Sequence, residues 1–282
     1  MRILLSVLVV LASALFVVKG ANRQPPPAEP SKAAPLRKLE APLKRVEPEQ
    51  LAALPAPVRK WMEWSGISGR EEIRSVYAKQ TGRMKLKPGK RKWMASEAWQ
   101  YTTSDPPAFI WKVKMKMGNG LSVTGKDVFQ EGKAEMRIKM AGFLPVATTR
   151  GNPKADQSSL QRYLMELSGF PSAALSRYVE WHAIDDRTAE ATMAYNWIKG
   201  RATFHFGEDG ELLKVTAMRF KDSDEHAELV PCTAHIRAYR TVDGIRMPSE
   251  LGVTWDLAEG PFTWYEFTME DVAFNVEKPS GF

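Results

Sequence analysis

The chain has 282 residues, of which 44% are hydrophobic and 26% charged, so collagen-like, coiled-coil and wholly disordered chains are excluded. The single cysteine, Cys232, excludes an internal disulfide framework and any cysteine-rich metal centre. The net charge of +7 is unevenly spread, because residues 1–150 carry +15 and residues 151–282 carry −8. A basic half favours attraction to an anionic surface, although a solvated surface explains it equally well.

An apolar run from Ile3 to Val18 opens the chain directly after Arg2. This run is shorter than the roughly 20 residues that span a bilayer and is typical of the apolar core of a signal peptide. We predict that residues 1–20 are a signal peptide or an uncleaved N-terminal membrane anchor. The rest of the chain is then exported, either periplasmic or membrane-anchored with the domain outside the cytoplasm. Residues 21–47 are rich in Pro, Ala and Lys and predict a disordered tether.

A single β-rich domain is predicted over residues 48–276, with a C-terminal tail over 277–282. It begins with two short helices, the first at residues 48–54 and the second ending at Gly66. Hydrophobic residues then alternate with polar ones, which is the period of a strand. Turn signals such as Val242-Asp243-Gly244 separate these segments closely, so the sheet is predicted to be antiparallel.

One amphipathic helix interrupts the strands at residues 156–168, with Asp156 as its predicted N-cap. An antiparallel sheet of this size must curl to bury its apolar face, and the helix would cover the open side. The predicted fold is mainly β (α+β): a curved antiparallel sheet, or incomplete barrel, of about ten or eleven strands with a helical lid.

The catalytic and metal-binding motifs that we sought are absent from the sequence. There is no G-x-S-x-G or H-E-x-x-H segment, and the four histidines lie at spacings without the rhythm of metal ligands. We therefore expect no cofactor, no metal and no assigned catalytic residue, and a protein that is more readily a binder than an enzyme.

Large flexible side chains are concentrated on the predicted apolar faces. Methionine adapts to variable apolar guests, so these faces predict a ligand-binding wall, although ordinary core packing explains any single residue. The predicted ligand-binding residues are Met84, Trp111, Met115, Met117, Met136, Met140, Tyr163, Trp197 and Arg219. Arg219 is placed by alternation on the face of Leu213, Val215 and Ala217, where a buried cation needs an anionic partner. That partner would be a ligand or an acidic residue of the chain.

The opposite faces of the same strands are basic. They predict a convex surface that approaches anionic membrane headgroups, and nucleic acid is not expected because the chain carries no nucleic-acid-binding motif. The residues of this basic face are Lys79, Arg83, Lys85, Lys87, Lys112, Lys114, Lys116, Arg137 and Lys139.

Several separated blocks resemble a bacterial family of uncharacterised domains. They are LPAPVRKWMEWSGISG (54–69), YTTSDPPAFIWKVKM (101–115), FLPVATTRGNPKADQSSLQRYLMEL (143–167), ATFHFGEDGELLKVTAMRFKD (202–222) and YRTVDGIRMPSELGVTWDL (239–257). In architecture the chain is similar to the periplasmic LolA/LolB-like lipoprotein carriers, half-barrels that hold acyl chains under a helical lid. This second likeness implies a carrier of apolar molecules by fold analogy alone.

The function that follows is an extracytoplasmic binding protein for an apolar or lipid-like ligand, held in the curved sheet under the helical lid. One alternative is an enzyme acting on a lipid or small acid, in which Arg219 orients an anion and Asp156 or Glu166 is the acid or base. That enzyme would need these groups within hydrogen-bond reach in one pocket. A second alternative is an envelope-tethered interaction module.

Overall fold

A computed structural model describes residues 36–89, 91–118 and 120–282. The predicted signal or anchor segment therefore lies outside the described residues, as does most of the predicted tether. The structure places the last residues of that tether on the domain: Leu39 N donates to Asn275 O over 2.8 Å, and Val46 is buried in the core. No helix in the described ranges is long and apolar enough to cross a bilayer.

The described chain forms three α-helices, two 3₁₀ helices and thirteen strands. The helices are α1 (Pro48–Ala52), α2 (Ala56–Ser65) and α3 (Pro153–Met165), and the 3₁₀ helices are Glu166–Gly169 and Pro171–Leu175. The strands are β1 (Ser75–Met84), β2 (Met94–Ser104), β3 (Pro107–Gly118), β4 (Leu121–Gln130), β5 (Lys133–Met140), β6 (Leu144–Arg150), β7 (Val179–Asp185), β8 (Thr188–Tyr195), β9 (Ile198–Phe206), β10 (Leu212–Phe220), β11 (Leu229–Val242), β12 (Ile245–Leu257) and β13 (Gly260–Phe274).

All thirteen strands belong to one sheet, in the order β6-β5-β4-β3-β2-β1-β13-β12-β11-β10-β9-β8-β7, and every neighbouring pair is antiparallel. The predicted fold class is confirmed, with more strands than the ten or eleven expected. The edge strands β6 and β7 bury few side chains, so their alternation is weak and easily missed in the sequence.

The path of α3 shows how far the sheet curls. This helix connects the two edge strands and touches β3, β4 and β5 on one side and β8, β9 and β10 on the other. Because these two groups of strands lie far apart in the sheet order, one helix reaches both only when the sheet bends around it. The helix therefore lies in the concave side of a half-barrel, as predicted for the lid.

The start of α3 differs from the prediction. Asn152 is the N-cap, because its Oδ1 accepts hydrogen bonds from Lys154 N and Ala155 N at 2.9 and 3.1 Å. Asp156 lies in the first turn, where its Oδ1 accepts from Ala134 N of β5 over 2.6 Å. The helix thus begins three residues earlier than the prediction, and Asp156 ties it to the sheet.

Gly82 on β1 lies where the backbone of β13 approaches closely, at the middle of the sheet. A Cβ at this position would lie 2.2 Å from the carbonyl oxygen of Glu266 on β13. We expect Gly82→Ala to lower the free energy of unfolding by about 1–3 kcal/mol through overpacking. Gly169→Ala is the matched control, since its Cβ would meet no atom within 4 Å. Chemical denaturation measures both, and equal stabilities of the two variants would contradict the close approach.

Candidate functional site

A cavity of about 370 Å³ lies between the concave face of the sheet and the C-terminal end of α3. Its volume is in the range of small-molecule sites, roughly 300–1,000 Å³. Both halves of the sheet contribute apolar side chains to its wall. These side chains include Val76, Ala78, Met84, Trp111, Val113, Met115, Val123, Met136, Ile138, Val215, Ala234, Ile236, Leu251, Val253, Trp255, Phe267 and Met269, and α3 adds Met165.

Two of the residues that line the cavity are exposed to solvent, one in the β1–β2 hairpin and one on β5. Leu86 follows β1 and Met136 lies on β5, and both line the cavity. Their side chains are nevertheless 51% and 39% exposed. A residue that lines a cavity while remaining this exposed lies at its mouth, so a guest can enter without unfolding the sheet.

Arg162 of α3 is the centre of a polar cluster inside the otherwise apolar cavity. Its Nη1 donates to Asp127 Oδ2 of β4 over 2.7 Å, and its Nε donates to Glu166 Oε1 over 2.8 Å. The guanidinium also lies over the rings of Phe109 and Trp111, at 4.6 and 5.1 Å from their centroids. This partly buried cation therefore has two carboxylate partners, which offset the cost of its partial desolvation.

Two glutamines extend the cluster across the first strands. Gln100 Oε1 accepts from Arg162 Nη2 over 3.2 Å, and its Nε2 donates to Glu166 Oε2 over 2.6 Å. Gln80 Oε1 accepts from Trp111 Nε1 and from the Tyr265 hydroxyl, each over 3.0 Å. A buried network with satisfied donors and acceptors fixes the orientation of the side chains that compose it.

Electrostatic balance in this cluster depends on two opposing effects at Asp127. Burial raises the pKa of the Asp127 carboxyl, while the charge of Arg162 and, further away, that of Arg219 act to lower it. The net direction is upward. Burial likewise raises the pKa of the Tyr265 phenol, so this hydroxyl stays protonated and donates to Gln80.

Arg219 of β10 lies on the same cavity wall with weaker partners. Its Nε donates to the carbonyl oxygen of Ser158 over 3.2 Å, and its Nη1 lies 3.7 Å from Cys232 Sγ. Burial raises the pKa of the Cys232 thiol. The guanidinium lies 5.4 Å from the ring centroid of Trp255. Among the described residues, no carboxylate forms an ion pair with Arg219.

Comparison with known protein families adds a match over most of the domain. A family model described as a family of unknown function (DUF6920) matches residues 52–274. The chain belongs to this family. No curated protein sequence matches the chain. Among solved structures, a LolA superfamily protein from Nitrosomonas europaea is similar, with a TM-score of 0.38 and 11% identity, covering 79% of this chain and 94% of that one.

Five of the nine predicted ligand-binding residues meet at the cavity of this family member. They are Met84, Trp111, Met115, Met136 and Arg219. Alternation along β1, β3, β5 and β10 brings them to the concave face, as the sequence predicted. Within β10, Leu213 leaves that face because a bulge between Leu212 and Lys214 shifts the register, and its side chain is 48% exposed.

The other four predicted residues do not line the cavity. Trp197 is 63% exposed, because it belongs to the two-residue turn between Tyr195 and Ile198 and is not part of a strand. Met117 lies where the pairing of β3 with β4 is irregular, just before the hairpin. Met140 is buried at the end of β5, and Tyr163 is buried with its hydroxyl donating to Thr103 O over 3.0 Å.

The predicted basic face is partly neutralised by acidic residues of neighbouring strands. Arg83 pairs with Glu266 over 2.6 Å, and Lys79 lies 3.5 Å from Glu270. Arg137 pairs with Glu135, and Lys116 lies 4.0 Å from Glu97. Lys85 lines the cavity and lies over the ring of Trp93. Among the described residues of this face, Lys112, Lys139 and the hairpin residue Lys87 form no ion pair with a carboxylate.

The groups named in the enzyme alternative are only partly brought together. Glu166 and Arg219 line the same cavity, but Glu166 pairs with Arg162. Asp156 is bonded to Ala134 N and is not part of the cavity wall. Within residues 36–89, 91–118 and 120–282, no group of three or more His, Cys, Asp or Glu residues could hold a metal ion. Among the described residues, no hydrogen bond joins Arg219 to Asp156 or Glu166.

Proposed function

We propose that this protein binds an apolar or lipid-like molecule in the cavity between the concave sheet and α3. One observation carries the proposal: the cavity of about 370 Å³ is walled mainly by apolar side chains and opens at Leu86 and Met136. An empty cavity in a protein core lowers the free energy of unfolding, because the side chains around it lose packing contacts. A cavity that is retained and reachable from solvent therefore favours a guest.

The composition of the wall supports a guest of variable shape. Met84, Met115, Met136, Met165 and Met269 all reach the cavity. Methionine has a flexible, polarizable side chain and refills irregular space as a guest changes. The polar cluster at Arg162 has its own internal partners, so it holds α3 to the sheet without a ligand.

Lipid extraction of the protein purified from its own host tests this proposal. The extract is compared by mass spectrometry with that of an unrelated protein purified in parallel. We expect a long-chain amphiphile at close to one molecule per chain. An extract indistinguishable from the unrelated protein, together with no uptake of apolar fluorescent probes, would contradict the binding function.

We further propose that the mouth of the cavity faces an anionic membrane surface. The β1–β2 hairpin beside the mouth carries Lys87, Arg91 and Lys92, and none of them forms an ion pair with a described residue. Leu86 in the same hairpin is exposed. Cations near an anionic headgroup layer contribute about 1 kcal/mol each, and an exposed leucine can enter its outer edge.

Substitution of two hairpin cations tests this orientation. We expect the double variant Arg91→Gln and Lys92→Gln to bind phosphatidylglycerol-containing vesicles roughly 30-fold more weakly than the parent in low salt. The matched control is Lys199→Gln with Arg201→Gln, two exposed cations of β9 far from the hairpin in the sheet order. Vesicle cosedimentation measures both, and equal losses for the two double variants would argue against the hairpin as the docking site.

Export of the domain remains a proposal that rests on the apolar run from Ile3 to Val18. The mass of the protein isolated from its host distinguishes cleavage near residue 20 from an uncleaved anchor. Recovery from the cytoplasmic fraction with an intact N-terminus would contradict both forms of the proposal.

A further inference from the structure

The two arginines of the cavity differ in how completely they are paired. Arg162 has carboxylate partners at 2.7 and 2.8 Å, together with the amide oxygen of Gln100. Arg219 has a single carbonyl acceptor at 3.2 Å and a distant sulfur contact, so its remaining N–H donors have no acceptor among the described residues. The residue is only partly buried, so an anionic group that replaces water in the cavity would supply acceptors for these donors.

The two carboxylates of the cavity wall are already engaged by one of its two arginines. Asp127 and Glu166 both contact Arg162, so Arg219 is left without an acidic partner among the described residues. A cation without an internal counter-charge in a low-dielectric cavity favours an anionic guest over a neutral or cationic one of the same shape.

The surroundings of Arg219 supply the other half of an amphiphile site. Trp255 lies against the guanidinium, and the neighbouring wall residues Val215, Ala234 and Val253 are apolar. Val215 and Val253 are both paired in register with Ala234, so the three form one apolar strip across β10, β11 and β12. A chain lying along this strip would place a head group at the arginine.

We propose that the ligand is an amphiphile with one anionic head, a carboxylate or a phosphate, and that Arg219 binds this head while the apolar chain lies along the strip. This inference rests on the proposed binding function and adds the charge class of the ligand. Arg219 then gains bidentate, charge-assisted hydrogen bonds that none of the described residues supplies.

Three probes with the same chain and different heads test the inference. They are hexadecanoate, hexadecyl phosphate and hexadecan-1-ol. Each is titrated into the parent protein and Arg219→Gln, below the concentration at which the probe aggregates. We expect the parent to bind the preferred anion about tenfold or more tightly than the alcohol, and Arg219→Gln to lose that preference while binding the alcohol as before. Arg219→Lys should retain part of the preference, because lysine keeps the positive charge but lacks the planar guanidinium that binds an anion through two hydrogen bonds.

Arg201→Gln is the matched control, since Arg201 is an arginine of β9 that lies outside the cavity and is 65% exposed. It should leave all three affinities unchanged. Equal binding of the anions and the alcohol by the parent would overturn the anionic-head inference and leave the apolar binding function intact. Binding of none of the three probes would instead overturn the binding function itself. The two anionic probes separate a carboxylate head from a phosphate head.

Discussion

Replacement of Arg162 by methionine is expected to lower the free energy of unfolding by about 2–3 kcal/mol, since the cluster is only partly buried. The substitution preserves much of the volume of the side chain but leaves Asp127 and Glu166 without the cation that both contact at 2.7 and 2.8 Å. Removal of one member of a buried charge cluster is costly because the remaining charges stay desolvated and unpaired. Urea denaturation at constant pH measures the loss.

The pH dependence of this loss gives a second measurement. Burial already raises the pKa of the Asp127 carboxyl, and removal of Arg162 takes away the first charge that opposes this effect. In Arg162→Met the unfolded chain therefore releases its proton at lower pH than the folded chain, so stability falls as pH rises above the unfolded value of about 4. The deficit relative to the parent should be larger at pH 8 than at pH 4.

Two further variants show whether the loss of stability in Arg162→Met comes from the charge cluster. Arg201→Met removes an exposed arginine that lies 3.8 Å from Glu190, and it should cost less than about 1 kcal/mol. Combining Arg162→Met with Asp127→Asn and Glu166→Gln removes the whole charge cluster, and much of the lost stability should return. A loss for Arg162→Met no larger than that for Arg201→Met would contradict the account of the cluster.

Replacement of Ala234 by tryptophan is expected to weaken binding of an apolar ligand by at least about tenfold, and to cost less than about 1 kcal/mol of stability. Ala234 lies on the cavity wall between Val215 and Val253, so the indole would occupy the space of the guest. A cavity accepts a larger side chain, whereas a filled core rejects it at a cost of about 1–3 kcal/mol. The two measurements together therefore report whether the space is available.

The matched control is Ala194→Trp, at an exposed position of β8 outside the cavity wall. It should change neither the affinity nor the stability measurably. Probe titration and thermal unfolding of both variants complete the comparison. A large loss of stability in Ala234→Trp with unchanged probe affinity would indicate a packed interior and a binding site elsewhere.

The sequence largely predicts which face of the sheet each strand residue occupies, because the alternation of side chains along a strand depends only on local sequence. Met84, Trp111 and Met115 reach the cavity as their parity requires. The failures occur where the backbone leaves strict alternation, at the turn that contains Trp197 and at the bulge that turns Leu213 outward. A one-residue irregularity reverses a face, and sequence patterns do not mark it reliably.

The polar cluster was missed, although a signal for it was present. Asp127 lies in alternation with Val123, Gly125 and Phe129, so a carboxylate interrupts an otherwise apolar face. Gln80 interrupts the face of β1 in the same manner. A polar side chain on an apolar strand face predicts a buried partner, but the partner itself is set by the fold.

The ion pairs of the basic face also depend on the fold, because their acidic partners come from distant parts of the chain. Arg83 and Lys79 of β1 pair with Glu266 and Glu270 of β13, which are more than 180 residues away in the chain. Net charge over residues 1–150 therefore overstated the free positive charge of the folded surface. The pairing of β1 with β13 brings these acidic residues beside the basic ones.

The central claim, that the cavity under α3 holds an apolar ligand, is tested most directly by native mass spectrometry of the parent and Ala234→Trp, both purified from the original host without detergent. The account predicts an excess mass of one lipid-sized molecule on the parent, released on unfolding, and its loss from Ala234→Trp. The central claim would be contradicted if both proteins were detected at the mass of the polypeptide alone, or if both carried the same bound mass.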